Sequence, residues 1–249
     1  MRLDGSAGRL LVFALVLTVT QNGTGTSIVV VKPNAGVLYL AADSLYGGKN
    51  GRLQFCKIHQ LGHLYWAAAT TFYKDPRGFY LEKLVTAVGP DNTVDSATTR
   101  FIKIAKNRIA TELVSLGISR DKRDTADYAD IVFGLRSPLE IVFVGIEDGK
   151  PRFQITRFFA SRRKSQVFVT ASREKIASPP SASGAGYWKN AASYIADRPS
   201  QFESNPGKTI GEGLETEISA DPEHVGRPIS IIRFDRNGAE WTERGTCDF

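Results

Sequence analysis

Near its start the chain gathers apolar residues into short runs rather than spacing them every three or four positions. Residues 26–31 (Thr-Ser-Ile-Val-Val-Val) and 37–44 flank Lys32-Pro33-Asn34-Ala35-Gly36. A β-branched run, a turn and a second apolar run predict a hairpin. Neither run alternates with polar residues, so both faces of these strands should be covered. Residues 53–61 and 64–71, hinged at Gly62-His63, predict a second hairpin with Lys57 in its first strand. Helical spacing follows over 78–88 (Phe79, Leu81, Leu84, Val85) and over 98–116 (Ile102, Ala105, Ile109, Leu113, Leu116), closed by Gly117. The charged stretch 119–130 predicts a surface loop. Residues 139–146 and 152–158 around Asp148-Gly149 predict a third hairpin with a type I′ bend, and 166–171 a short strand.

The Ser/Pro/Gly-rich segment 178–186 predicts a turn. Helices are expected at 187–196 and 210–219, the second opened by a capping box from Thr209 to Glu212. A last hairpin, 228–235 with 239–242, turns at Asn237-Gly238. The order is strands, two helices, strands, two helices, strands. Grouping of this kind implies an α+β fold in which antiparallel sheets are covered by helix layers, not a doubly wound parallel sheet.

The first 25 residues form a separate object. Arg2 and Arg9 precede the apolar stretch 10–19, and 20–25 is small and polar, which is the layout of a secretory signal peptide. The stretch is about half of the ~20 residues a membrane-spanning helix needs. The expectation is therefore a leader over 1–25, one domain over 26–249, an exported location and no transmembrane segment in the mature chain. With 249 residues, 42% of them hydrophobic, the chain can bury a large core, which excludes disorder and a disulfide-stapled miniature. Its net charge is +6, but Lys and Arg are scattered among acids. Without a basic stripe interleaved with aromatics, nucleic acid is not an expected partner. Export would permit a disulfide between Cys56 and Cys247, and the sequence leaves that pairing open.

Three residues carry candidate chemistry together: Thr26, Asp43 and Lys57. A terminal Thr supplies a hydroxyl nucleophile and an α-amine whose ordinary pKa, about 7.7–8.0, lets it act as its own base near neutral pH. A neighbouring Lys lowers that amine's pKa by like-charge repulsion, and an Asp holds the Lys charged and oriented. The arrangement matters only if Thr26 is terminal. Gly23-Thr24-Gly25 is a small-x-small sequence directly before it, so a signal peptidase or self-cleavage would both expose it.

These residues resemble a family. Residues 25–31, 36–44 and Lys57-Ile58 are similar to the opening of proteasome β-subunits and their bacterial proteasome-like peptidase relatives, within the N-terminal nucleophile hydrolases. The resemblance implies a four-layer αββα sandwich with two antiparallel sheets between helix layers. It implies Thr26 as nucleophile and amine base, with Asp43 and Lys57 as its orienting pair. Ser183, in a Ser183-Gly184 turn, would contact the terminal amine, and Asp221 would hold that hydroxyl network. Ala69-Thr70-Thr71 stands where the family has Ala-Gly-Gly, so the Thr70 N–H would serve the oxyanion. His224 falls where a second supporting Ser is expected and reads as an exposed loop residue. Assembly into a ring or other homo-oligomer is implied as well, with peptides or unfolded polypeptide as substrates.

Other signals fall away. His59 and His63 lack acidic or Cys partners at ligand spacing, so no metal is expected, and the chemistry calls for no organic cofactor. Gly207-Lys208-Thr209 ends like a phosphate loop, but Phe202 stands where that loop needs Gly. The leading expectation is an exported threonine-type peptide or amide hydrolase. The alternatives are a catalytically silent binding or assembly subunit and a non-peptide amidase.

Overall fold

The computed structural model describes residues 26–48, 51–70, 79–90, 93–118, 122–164, 166–175 and 178–247. The expected leader lies outside them, as does Thr71. Strands β1 (Ser27–Asn34) and β2 (Val37–Asp43) make the first hairpin, with residues 27–31 and 38–43 all buried. The second expected hairpin divides in two. β3 (Leu45–Gly48) pairs with β4 (Gly51–Gln54) as a small ribbon, and β5 (Ile58–Leu61) pairs with β6 (Leu64–Thr70). The chain leaves the ribbon at Phe55, whose N–H donates to the Ser44 carbonyl at 2.9 Å. Lys57 therefore stands in the break before β5, not within a strand.

Three helices follow: α1 (Phe79–Thr86), α2 (Val94–Gly117) and α3 (Lys122–Val132). Thr93 caps α2 by accepting from the Ser96 N–H, and Ala97, Phe101, Ala105, Ile109, Leu113 and Leu116 form its buried stripe. α3 replaces the expected loop. Its charges mark a helix with one solvated face, while Ile131 is fully buried on the other. β7 (Leu139–Glu147) turns through Asp148 (φ 50°) and Gly149 (φ 68°), as a type I′ bend requires, into β8 (Lys150–Arg163), which pairs with β9 (Gln166–Arg173).

The segment expected as a turn holds a further strand, β10 (Ser181–Gly186), paired with β1 from Ser27↔Gly186 to Lys32↔Ser181. Its small residues reflect crowding rather than turning. A Cβ on Gly184 would lie 2.4 Å from the Ile28 carbonyl oxygen and 2.5 Å from Trp188. Next come α4 (Lys189–Ala196), α5 (Pro199–Ser204) and α6 (Pro206–Ala220). α6 starts earlier than its capping box predicts, because Asn205 accepts from the Lys208 N–H and Pro206 fits the first turn. β11 (Ile229–Asp235) and β12 (Gly238–Glu243) close the fold.

The strands form two antiparallel five-stranded sheets, β10-β1-β2-β11-β12 and β5-β6-β7-β8-β9, beside the β3-β4 ribbon. Three apolar layers stack through the molecule. Phe101, Phe143 and Phe158 anchor the layer between α1–α3 and the β5–β9 sheet. Ile28, Val30, Leu40, Val142 and Ile155 fill the space between the sheets. Val29, Val31, Ile210 and Leu214 join the other sheet to α4–α6. The result is a four-layer αββα sandwich. Cys56 and Cys247 are joined in a disulfide, with Cys247 buried between the sheets.

Candidate active site

Asp43, the last residue of β2, is the hub of the candidate site. It is fully buried, and its carboxylate accepts four hydrogen bonds. Oδ1 takes the Ser27 N–H at 2.7 Å and the Lys57 ammonium at 2.8 Å, and Oδ2 takes the Leu45 and Gly226 N–H groups, each at 3.1 Å. A buried carboxylate needs such partners. Here they come from the starts of β1 and β3, the loop after α6 and the break before β5, so one side chain ties four segments together. Ser27 follows Thr26 directly, so Lys57 and the peptide leaving Thr26 share a single carboxylate oxygen. Burial pulls the Lys57 pKa below its usual value, and the charge of Asp43 and its hydrogen bond oppose that shift.

Thr26 is 2% exposed in the chain that still carries residues 1–25. Its carbonyl accepts the Tyr187 N–H at 2.8 Å. Gly186, beside Tyr187, has φ +67°, and a Cβ there would lie 2.0 Å from the Thr26 oxygen and 3.2 Å from the Ala69 Cβ. Only glycine fits between them. Ala69 thus approaches the Thr26 strand through Gly186, and Thr70, next in the chain, ends β6 opposite Leu139. The Thr70 hydroxyl is turned away to the Pro138 carbonyl at 3.2 Å.

Of the residues singled out in the sequence, Asp43 and Lys57 meet beside Ser27, next to Thr26; Thr70 follows Ala69, which lies beside Gly186, and Asp221 reaches the Tyr187 side chain. Ser183 stands apart from these. It lies within β10 opposite Val30, four residues beyond Thr26 and so about 13 Å along the strand. The segment continues the sheet instead of turning beneath the terminal amine, so the expected contact between that amine and the Ser183 hydroxyl is corrected.

Asp221 caps the end of α6 and accepts from the His224 ring, whose Nδ1 lies 2.9 and 3.0 Å from its two oxygens. His224 is partly exposed, but its ring also stacks on Tyr187 at 6.3 Å, so it is more than a free loop residue. The Tyr187 hydroxyl is pushed up to about 12 by burial, with the charge and hydrogen bond of Asp221 adding to it. Gly186 and Gly226 carry no signal of function in the sequence, and Tyr187, whose residue type there suggests core or a subunit contact, stands beside the site. Gly186 and Gly226 serve through N–H groups and close approach, which only backbone geometry marks, while Tyr187 adds its ring and hydroxyl to its N–H.

A second buried carboxylate sits nearby. Glu140 of β7 is 4% exposed, and its Oε2 accepts the Gly186 N–H at 3.2 Å and the Arg157 Nε at 3.4 Å. Burial raises its pKa, opposed by Arg157 and the Gly186 N–H. Among the described residues no group of His, Cys, Asp and Glu could hold a metal ion, and no helix is long and apolar enough to cross a membrane.

No family model matches the chain, and no curated protein matches it. Among solved structures, it is similar to BPH of Thiobacillus denitrificans in complex with epoxomicin. The two are 12% identical, with 84% of this chain and 98% of that one covered and a TM-score of 0.47.

Proposed function

We propose that the chain is an exported peptide or amide hydrolase of the N-terminal nucleophile type, active once cleavage after Gly25 frees the Thr26 amine. The observation that carries this reading is the Asp43 carboxylate, which binds the N–H of the residue after Thr26 and the Lys57 ammonium on one oxygen. The Thr26 hydroxyl attacks the substrate carbonyl carbon and its proton passes to the free α-amine. The resulting oxyanion is met by the Thr70 N–H. The ammonium of Thr26 then protonates the leaving amine, leaving an acyl ester on Oγ. Water attacks that ester with the amine again as base, releasing the acid and restoring the hydroxyl.

Lys57 has two parts in this scheme. Its charge disfavours protonation of the neighbouring amine, keeping a basic lone pair near neutral pH, and it offsets negative charge as Oγ loses its proton. Asp43 holds it in place. Substrates are short peptides or unfolded segments, and copies of the chain associate with one another.

A second reading, a silent assembly subunit, is favoured by Thr70, a β-branched residue where glycine would leave the oxyanion site open. One experiment separates the two. The exported chain starting at Thr26 is assayed against a peptide library beside Thr26→Ala: hydrolysis lost in the variant supports the enzyme, and equal rates in both remove it.

A further inference from the structure

The proposed nucleophile and the proposed oxyanion donor belong to different sheets. Thr26 directly precedes β1 in one, and Thr70 ends β6 in the other. Sheets packed face to face lie about 10 Å apart. An apolar filling tolerates small slips, whereas catalysis needs its groups held within about 0.5 Å. At this end of the sandwich the filling is not apolar. Glu140 stands opposite Ala69 on one side and Arg157 on the other, in the β6-β7-β8 ladder. From there it reaches across to accept the Gly186 N–H of β10. Arg157 makes the same crossing, donating from Nη2 to the Gly184 carbonyl at 2.8 Å, while Nη1 pairs with Glu174. The two strands are thus fastened at Gly184 and Gly186, and Gly186 is the residue wedged between Thr26 and Ala69.

A buried ion pair is a poor device for stability, because apolar residues of equal volume do as well or better. Its placement here suits registration of one sheet against the other. We propose that Glu140 and Arg157 are positioning residues that set the gap between the Thr26 hydroxyl and the Thr70 N–H without touching substrate. The proposal rests on the function argued above.

The test uses the exported chain with a free Thr26 amine. Glu140→Ala should lower kcat for peptide hydrolysis about tenfold or more with little change in KM. Glu140→Gln, which retains an acceptor for the Gly186 N–H, should recover part of the loss. Glu140→Leu combined with Arg157→Met fills the space with apolar side chains and keeps the protein folded. In it, kcat should stay low and the Gly186 and Tyr187 amides should exchange faster, while those of β2 remain protected. A folded double variant with unchanged kcat and unchanged exchange overturns the proposal. If the parent chain hydrolyses nothing, the functional reading fails separately, and the exchange comparison alone decides the clamp: faster exchange at Gly186 upholds it, and unchanged exchange overturns it.

Discussion

Asp43 shows how much one side chain can carry. Asp43→Ala removes the acceptor shared by three backbone N–H groups and the Lys57 ammonium. The expected cost is about 3–5 kcal/mol, the range for removing one partner of a buried pair, together with loss of hydrolysis. Urea unfolding of the variant measures it; a change under 1 kcal/mol would mean the carboxylate is not the tie described. Tyr187 offers a pH test at the same scale. Its phenol is held protonated up to about 12, against an ordinary value near 10. A raised pKa contributes stability that is complete below pH 10 and is lost as pH climbs through 12. Absorbance near 295 nm should therefore show late tyrosine ionisation, and Tyr187→Phe should remove the part of it near pH 12.

At the scale of elements, β5 and β6 are held at the sheet edge by His59 stacked on Trp66, centroids 4.5 Å apart. Burial lowers the His59 pKa to about 4 from 6.5. The imidazole thus favours folding above pH 6.5, and that contribution disappears as pH falls through 4. His59→Phe should flatten the acid limb of the stability curve, read by thermal unfolding between pH 7 and 4. The hairpin β1-β2, the helix α2 and the β7-β8 turn could be read from the chain because their signals are local: β-branched runs, a 3–4 apolar stripe and Asp-Gly. β10 and α3 could not. Ser, Ala and Gly in 181–186 have turn composition, and only Trp188 folding over Gly184 explains why a strand needs them. The charges around α3 conceal a stripe that depends on Tyr128 and Ile131 meeting α2 and the sheet. The same holds for the site: Asp43 and Lys57 stand out by residue type, while Gly186 and Gly226 act through backbone groups that no side chain announces. Ser183 stands away from the site because 181–186 has turn composition yet runs as a strand along β1.

At the scale of the whole molecule, the disulfide joins residues 191 apart in sequence and fastens the C-terminal tail beside Lys57. Closing so long a loop stabilises by on the order of 2–5 kcal/mol. Cys247→Ser, or a dithiol reductant, should lower the unfolding midpoint accordingly; an unchanged midpoint would show that the crosslink contributes nothing. The Thr246 hydroxyl also ties the tail, donating to Ser44 at 3.1 Å, next to Asp43, so reduction should slow hydrolysis as well. The proposed reaction starts with a freed amine. The most direct measurement treats the exported chain with a β-lactone acylating agent and maps the adduct by tandem mass spectrometry. The expected result is one acyl group on Oγ of Thr26, in a peptide whose first residue is Thr26. A peptide that still runs through Gly25, or a free Thr26 terminus that stays unmodified, would contradict it.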